Sequence, residues 1–186
     1  METNTPARTH YRLFDTALGS CGIAWSERGL WRLQLPESDC SATERRLKKA
    51  GASASAQAPI GIDEAIAELQ RYFSGRRTDF SGMALDLTGI GGFEQQTYAA
   101  ARLLRWGETA SYGDLARRIG QPQAAREVGQ ALGRNPLPII IPCHRILAKG
   151  HRIGGFSAYG GRLTKERLLG LEGVRIESQP LLPGFA

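Results

Sequence analysis

Apolar and polar positions alternate from residue 10 to residue 36, in three short runs. These are Tyr11-Arg12-Leu13-Phe14, Gly22-Ile23-Ala24-Trp25 and Leu30-Trp31-Arg32-Leu33-Gln34-Leu35. Gly19-Ser20 and Glu27-Arg28-Gly29 break the runs with turn-forming residues, so the pattern predicts a β-meander. The period then lengthens. Residues 42–50 read as a basic helix, and Ile62, Ala65, Ile66, Leu69 and Phe73 form a helical apolar stripe. Residues 51–59, small and low in complexity, read as a loop, and residues 80–87 as a further strand. Thr88-Gly89-Ile90-Gly91-Gly92 has the composition of a linker.

Beyond the linker the pattern is helical. Residues 93–106 read as a long helix that ends at Gly107-Glu108. Ser111 is placed to cap a short helix over residues 112–119, with Asp114 in its first turn. After Gly120-Gln121-Pro122 a third helix is expected from Gln123 to about Leu132, stopped by Gly133-Arg134-Asn135-Pro136. Then comes Pro138-Ile139-Ile140-Ile141-Pro142, which reads as a short buried strand that ends abruptly. Cys143, His144 and Arg145 follow it directly. A strand end that brings a thiol and an imidazole together suits covalent chemistry, although a free cysteine is by default a buried packing residue.

Composition and charge narrow the choices. A chain of 186 residues with 41% hydrophobic and 23% charged residues has an ordinary globular make-up. No apolar run is long enough to span a membrane, and the polar residues 1–11 lack a signal-peptide core. The expectation is a cytoplasmic monomer that needs no membrane. Cys21, Cys40 and Cys143 are odd in number and widely spaced, so neither a disulfide framework nor a metal site is indicated. Residues 1–90 hold eleven Lys/Arg and eleven Asp/Glu, while residues 91–186 hold thirteen and seven, so the second half carries the whole net charge of +6. A basic half with two short helices across a Gly-containing turn has the proportions of a helix-turn-helix facing a polyanion.

The third helix is poor in long side chains. Ala124, Ala125, Gly129, Ala131 and Gly133 leave little to read base edges but let the backbone approach a narrow groove. Arg126 stands out among them. It is placed either to fill the gap left by a base rotated out of the stack or to make an ordinary phosphate contact.

Five blocks in order resemble the O6-alkylguanine-DNA alkyltransferase (methylated-DNA–protein-cysteine methyltransferase) family. They are Gly107-Glu108-Thr109-Ala110-Ser111-Tyr112; Ala124-Ala125-Arg126-Glu127-Val128-Gly129; Arg134-Asn135-Pro136; Pro142-Cys143-His144-Arg145; and Gly160-Gly161 with Lys165 and Leu168-Leu169-Gly170-Leu171-Glu172. The resemblance implies an α/β protein of two lobes. Residues 10–87 would be a ribonuclease-H-like β-sheet lobe, residues 91–173 a helical winged helix-turn-helix lobe that binds DNA, and residues 174–186 a tail.

By the same resemblance, the alkyl group of O6-alkylguanine in duplex DNA, with O4-alkylthymine as a further substrate, passes irreversibly to Cys143. No cofactor or metal takes part. His144 acts as base through a water, Glu172 orients His144, and Tyr112 donates to the guanine as charge builds on it. Arg126 enters the gap of the flipped nucleotide in the minor groove, with Gln123, Ala125 and Gly129 also at the DNA. Asn135, Arg145 and Lys165 support the pocket. The segment from Gly154 to Gly161 leaves either Ser157 or Tyr159 to supply the backbone donor near O6. Glu127 and Gln130 depart from a helix that faces phosphates. A non-catalytic relative is disfavoured by the presence of Cys143, a winged-helix regulator would leave Cys143 structural, and a cysteine hydrolase has no use for the basic helices.

Overall fold

The computed structural model describes residues 9–55 and 57–176. Residues 177–186, most of the expected tail, lie outside the described residues. The meander is present: β1 (His10–Thr16), β2 (Gly19–Ser26) and β3 (Gly29–Gln34) pair antiparallel. After α1 (Cys40–Lys49), capped by the Asp39 carboxylate on Ala42 N, the chain adds a strand that the composition had concealed. This is β4 (Ser53–Ala54), parallel to β1 inside the expected loop, so the sheet order is β3-β2-β1-β4. Two residues are too few for a period to show in sequence.

Helix α2 (Ile60–Phe73) packs on this sheet through Ile62, Ala65, Ile66, Leu69, Tyr72 and Phe73, all buried. The expected strand over residues 80–87 is absent. Only Leu85 makes an isolated bridge to Leu30, flanked by Leu30 N to Ala84 O at 2.9 Å and Asp86 N to Leu30 O at 2.7 Å. Asp86 explains the break. Its buried carboxylate accepts from Ser26 Oγ at 2.5 Å and from Thr88 N at 3.1 Å, which curls the chain out of the sheet after one contact.

The second lobe is built on α3 (Gly92–Arg102), α4 (Tyr112–Arg118) and α5 (Ala125–Gly133), which pack on one another. Helix α3 is shorter than its pattern suggested, because the backbone turns at Leu103 and Gly107 takes a left-handed φ of 77°. Ser111 caps α4 in a reciprocal capping box with Asp114. Helix α5 starts at Ala125, so Gln123 lies before it. A parallel pair, β5 (Ala110–Ser111) with β6 (Ile146–Leu147), and α6 (Gly161–Leu171) complete the lobe.

The expected isoleucine strand is instead a tight turn. Pro138 bridges Ile141, and Ile139 has φ 74°, an uncommon conformation for a β-branched residue. Burial of Ile139, Ile140 and Ile141 holds it there, together with Asn135. The Asn135 amide donates to Ile141 O at 2.8 Å and accepts from Leu137 N at 2.9 Å. Prolines at 136, 138 and 142 remove the donors that a sheet partner would need. Three apolar residues in a row signalled burial, and burial did not require extension.

Candidate active site

Pro142 carries the chain from this turn into the reactive residues. Its φ of −80° and ψ of 63° form an inverse γ-turn, closed by Cys143 N donating to Ile141 O at 2.8 Å. Residues Cys143–Arg145 then wind into one 3₁₀ turn rather than continuing extended. The thiol, imidazole and guanidinium therefore fan out within one turn, all buried.

His144 and Arg145 converge on one carboxylate. Glu172 Oε1 lies 2.7 Å from His144 Nε2 and accepts from Arg145 Nη2 at 3.0 Å. Its Oε2 accepts from Arg145 Nε at 2.8 Å and from Gly107 N at 3.1 Å. Burial pushes the Glu172 carboxyl up, but the hydrogen bonds and charges of His144 and Arg145 outweigh it and bring the group down to about 2. An ionised carboxylate only accepts, so the His144 proton sits on Nε2 and the lone pair on Nδ1. Nδ1 is buried and has no partner among the described residues. Burial keeps His144 below its ordinary value although Glu172 acts the other way.

A fifth donor comes from the other lobe. The Tyr72 hydroxyl, near the end of α2, donates to Glu172 Oε1 at 2.9 Å and lies 3.2 Å from His144 Nε2. Burial and the Glu172 charge push its phenol far above the usual range, so it stays a donor. The Tyr72 ring meets Phe73, Phe80 and Trp106 edge-on or tilted. The sequence reading missed Tyr72. Its signal was available: it falls three residues after Leu69 on the apolar stripe, and a buried tyrosine hydroxyl needs a partner.

Cys143 forms part of the floor of a cavity of about 390 Å³ lined by Tyr112, Gly129, Leu132, Gly133, Gly155, Phe156 and Ser157. Burial pushes the thiol up, while the Asn135 amide and the Lys165 ammonium act to lower it. Lys165 is wholly buried, donates to Ile146 O at 2.5 Å and stands 5.9 Å from the Tyr112 ring centre. Desolvation brings its ammonium down to about 8. Tyr112 packs closely against two glycines. A Cβ on Gly154 would stand 3.0 Å from its hydroxyl, and one on Gly129 3.7 Å from its ring.

Of the expected site residues, Cys143 and Tyr112 line this cavity, and Asn135 lines the cleft beside it. His144, Arg145 and Glu172 form a buried cluster, next in sequence or hydrogen-bonded to one another, with Lys165 near the Tyr112 ring. Of the two pocket-loop candidates, Ser157 lines it, and Tyr159 is 57% exposed outside it. Arg126, Gln123 and the flanking Glu127 are exposed, and Ala125 and Gly129 are half-buried. Arg126, Gly129 and Gly133 recur along one side of α5 and lead to the cavity mouth. Glu127 and Gln130 line a separate concavity with Phe93, Glu94 and Gln121. Among the described residues no group of three or more His, Cys, Asp or Glu is placed to hold a metal ion.

Two family models match this chain. Residues 9–87 match the ribonuclease-like domain of 6-O-methylguanine DNA methyltransferase, and residues 92–174 match its DNA binding domain. The chain belongs to the O6-methylguanine-DNA methyltransferase family. It is 35% identical over 160 residues to the methylated-DNA–protein-cysteine methyltransferase of Mycobacterium bovis, covering 86% of this chain and 89% of that protein. The constitutive enzyme of that name from Bacillus subtilis is 35% identical over 167 residues, covering 89% and 96%. The fold is similar to Mycobacterium tuberculosis OGT solved in complex with DNA, with a TM-score of 0.71 at 35% identity over 88% of this chain and 92% of that one. The family's two-lobe α/β organisation is thus the one seen here. Among the described residues no helix is long and apolar enough to cross a membrane.

Proposed function

We propose that this chain repairs O6-alkylguanine in duplex DNA by taking the alkyl group irreversibly onto Cys143. The observation that carries the reading is the thiol at the cavity floor, next in sequence to a buried His144 whose Nδ1 lone pair has no protein partner. A water between Nδ1 and Sγ satisfies that lone pair and gives the thiol proton a route out. His144 accepts the proton, and Glu172 balances the imidazolium while Arg145 and Gly107 fix the carboxylate. Sγ then attacks the alkyl carbon as the C–O6 bond breaks. Tyr112, kept protonated by burial and the neighbouring thiol, donates to the guanine as charge develops on the leaving base. Ser157 supplies the pocket-loop contact near O6. Lys165 offers positive charge to the thiolate.

In this reading α5 enters the minor groove, and Arg126 occupies the space of the extrahelical nucleotide. Gln123, Ala125 and Gly129 border the DNA. The small residues Ala125, Gly129 and Gly133 of α5 let the backbone approach the duplex closely. Cys21, Cys40 and Cys143 are all free, in keeping with a reducing cytoplasm as the place of action. The test is the intact mass of the protein after incubation with an O6-methylguanine duplex. The expected result is a gain of one methyl group, absent in Cys143→Ala. Binding of the duplex with no mass change would overturn the proposal.

A further inference from the structure

We propose that a cleft on the lobe-facing side of Cys143 is a second subsite, one that receives the chain of an O6-alkyl group ending in an anionic oxygen group such as a carboxylate. This deepens the alkyl-transfer reading and rests on it. Two cavities meet at the thiol. Beside the lesion cavity lies a cleft of about 220 Å³ that reaches Arg32, Gln34, Glu37 and Arg46 of the first lobe. Gly133, Cys143, Phe156 and Ser157 line both spaces, so Sγ stands where they join.

The first lobe is fixed against this cleft by backbone. Leu33 N on β3 donates to Pro136 O at 2.9 Å, which brings Arg32 and Gln34 beside the Asn135–Pro138 loop. The charges there are unbalanced. Glu37 accepts from Gln34 Nε2 at 3.0 Å and lies 3.3 Å from Arg46 Nε. Arg32 Nε is buried and has no partner among the described residues. The cleft is thus lined by one carboxylate and two guanidiniums, of which only Arg46 pairs with Glu37, and the Arg32 donor is left unmatched. Burial and the nearby Arg46 both disfavour the Arg32 charge. An anion in the cleft offsets both effects electrostatically, because its charge favours the Arg32 cation and screens it from Arg46.

The reaction geometry says which part of a substrate reaches it. In an in-line displacement the sulfur, the reacting carbon and O6 lie on one axis, so any chain beyond that carbon leaves sideways and needs lateral room. The lesion cavity holds the base, and the cleft provides the lateral room. The chemistry is unchanged: the S–C bond forms, the C–O6 bond breaks, its electron pair and a proton end on guanine, and the carboxylate remains intact.

The test uses the full chain and duplexes carrying O6-methylguanine, O6-(ω-carboxyalkyl)guanines of increasing length, and their neutral carboxamide counterparts. Single-turnover rates are read by intact mass. At one chain length or more the carboxylate is expected to react about tenfold faster than its carboxamide, the effect of one charge-assisted hydrogen bond. Arg32→Gln abolishes that preference and leaves the methyl rate unchanged, and Arg46→Gln reduces it. A wild type with no preference at any length overturns the proposal. So does an Arg32→Gln variant slowed equally on every duplex but not on the free modified bases, which would assign Arg32 to a DNA phosphate. Failure to transfer even methyl would instead overturn the alkyl-transfer reading.

Discussion

Replacing Tyr72 by phenylalanine isolates the one hydrogen bond that the first lobe, among the described residues, makes to Glu172. The substitution removes a single hydroxyl and keeps the ring, so the edge contacts with Phe73, Phe80 and Trp106 survive and no sizeable cavity opens. What is lost is one of five donors to a buried carboxylate, at 2.9 Å. A hydrogen bond to a charged group contributes about 1.5–3 kcal/mol. At about 2–4 °C per kcal/mol for a chain of this size, a loss of about 2 kcal/mol lowers Tm by about 4–8 °C. A structural role alone would stop there. Glu172 with one donor fewer also shares less of its charge and holds the His144 imidazolium more strongly. The His144 pKa therefore rises, and the pH inflection of the single-turnover methyl-transfer rate moves up with it. The assays are a melting curve and a rate–pH profile for the wild type and Tyr72→Phe side by side. A variant that melts and titrates like the wild type would refute the role of this hydroxyl.

Two further outcomes follow from the geometry. Gly154→Ala places a Cβ 3.0 Å from the Tyr112 hydroxyl. Methyl transfer should slow roughly ten- to hundredfold, short of the full loss of a transition-state donor, while Tm and reaction of Cys143 with a small thiol reagent stay near wild type. Acid should weaken the fold in two stages, read as denaturant midpoints against pH. His144 lies below its open-chain value of 6.5, so its contribution is intact above that pH and falls away below it. Glu172, near 2 in the fold against 4.5 in the open chain, contributes about 3 kcal/mol that is present above 4.5 and lost as pH falls towards 2. Glu172→Gln should erase the lower stage, and an unchanged acid limb in that variant would contradict the assignment.

The parts legible in the sequence were those governed by local periodicity. The meander, the stripe of α2 and the Ser111 cap each depend on residues a few positions apart. The isoleucine turn was misread because its conformation is set by Asn135 and three prolines, none of which alters the apolar pattern. The region after Phe80 failed for a related reason: Asp86 finds Ser26, sixty residues away, and leaves the sheet. At the site, the ordered motif blocks located Cys143, His144, Tyr112 and Glu172 through resemblance. Tyr72 and Arg32 were invisible to it because they belong to the first lobe. Tyr72 reaches Glu172 across one hundred residues of sequence, and no spacing rule extends so far.

The Tyr72 hydroxyl also has a meaning for how the chain is made. Synthesis delivers the first lobe before the second, so α2 can be in place when the segment carrying Cys143 emerges. The partners that orient His144 are scattered over Tyr72, Gly107, Arg145 and Glu172, and Glu172 is made one hundred residues after Tyr72. Until then the imidazole lacks the carboxylate that fixes its tautomer, and no base stands ready for the thiol beside it. A reagent that can be spent only once is thereby withheld until the whole molecule is assembled, with the two lobes acting as a two-key lock.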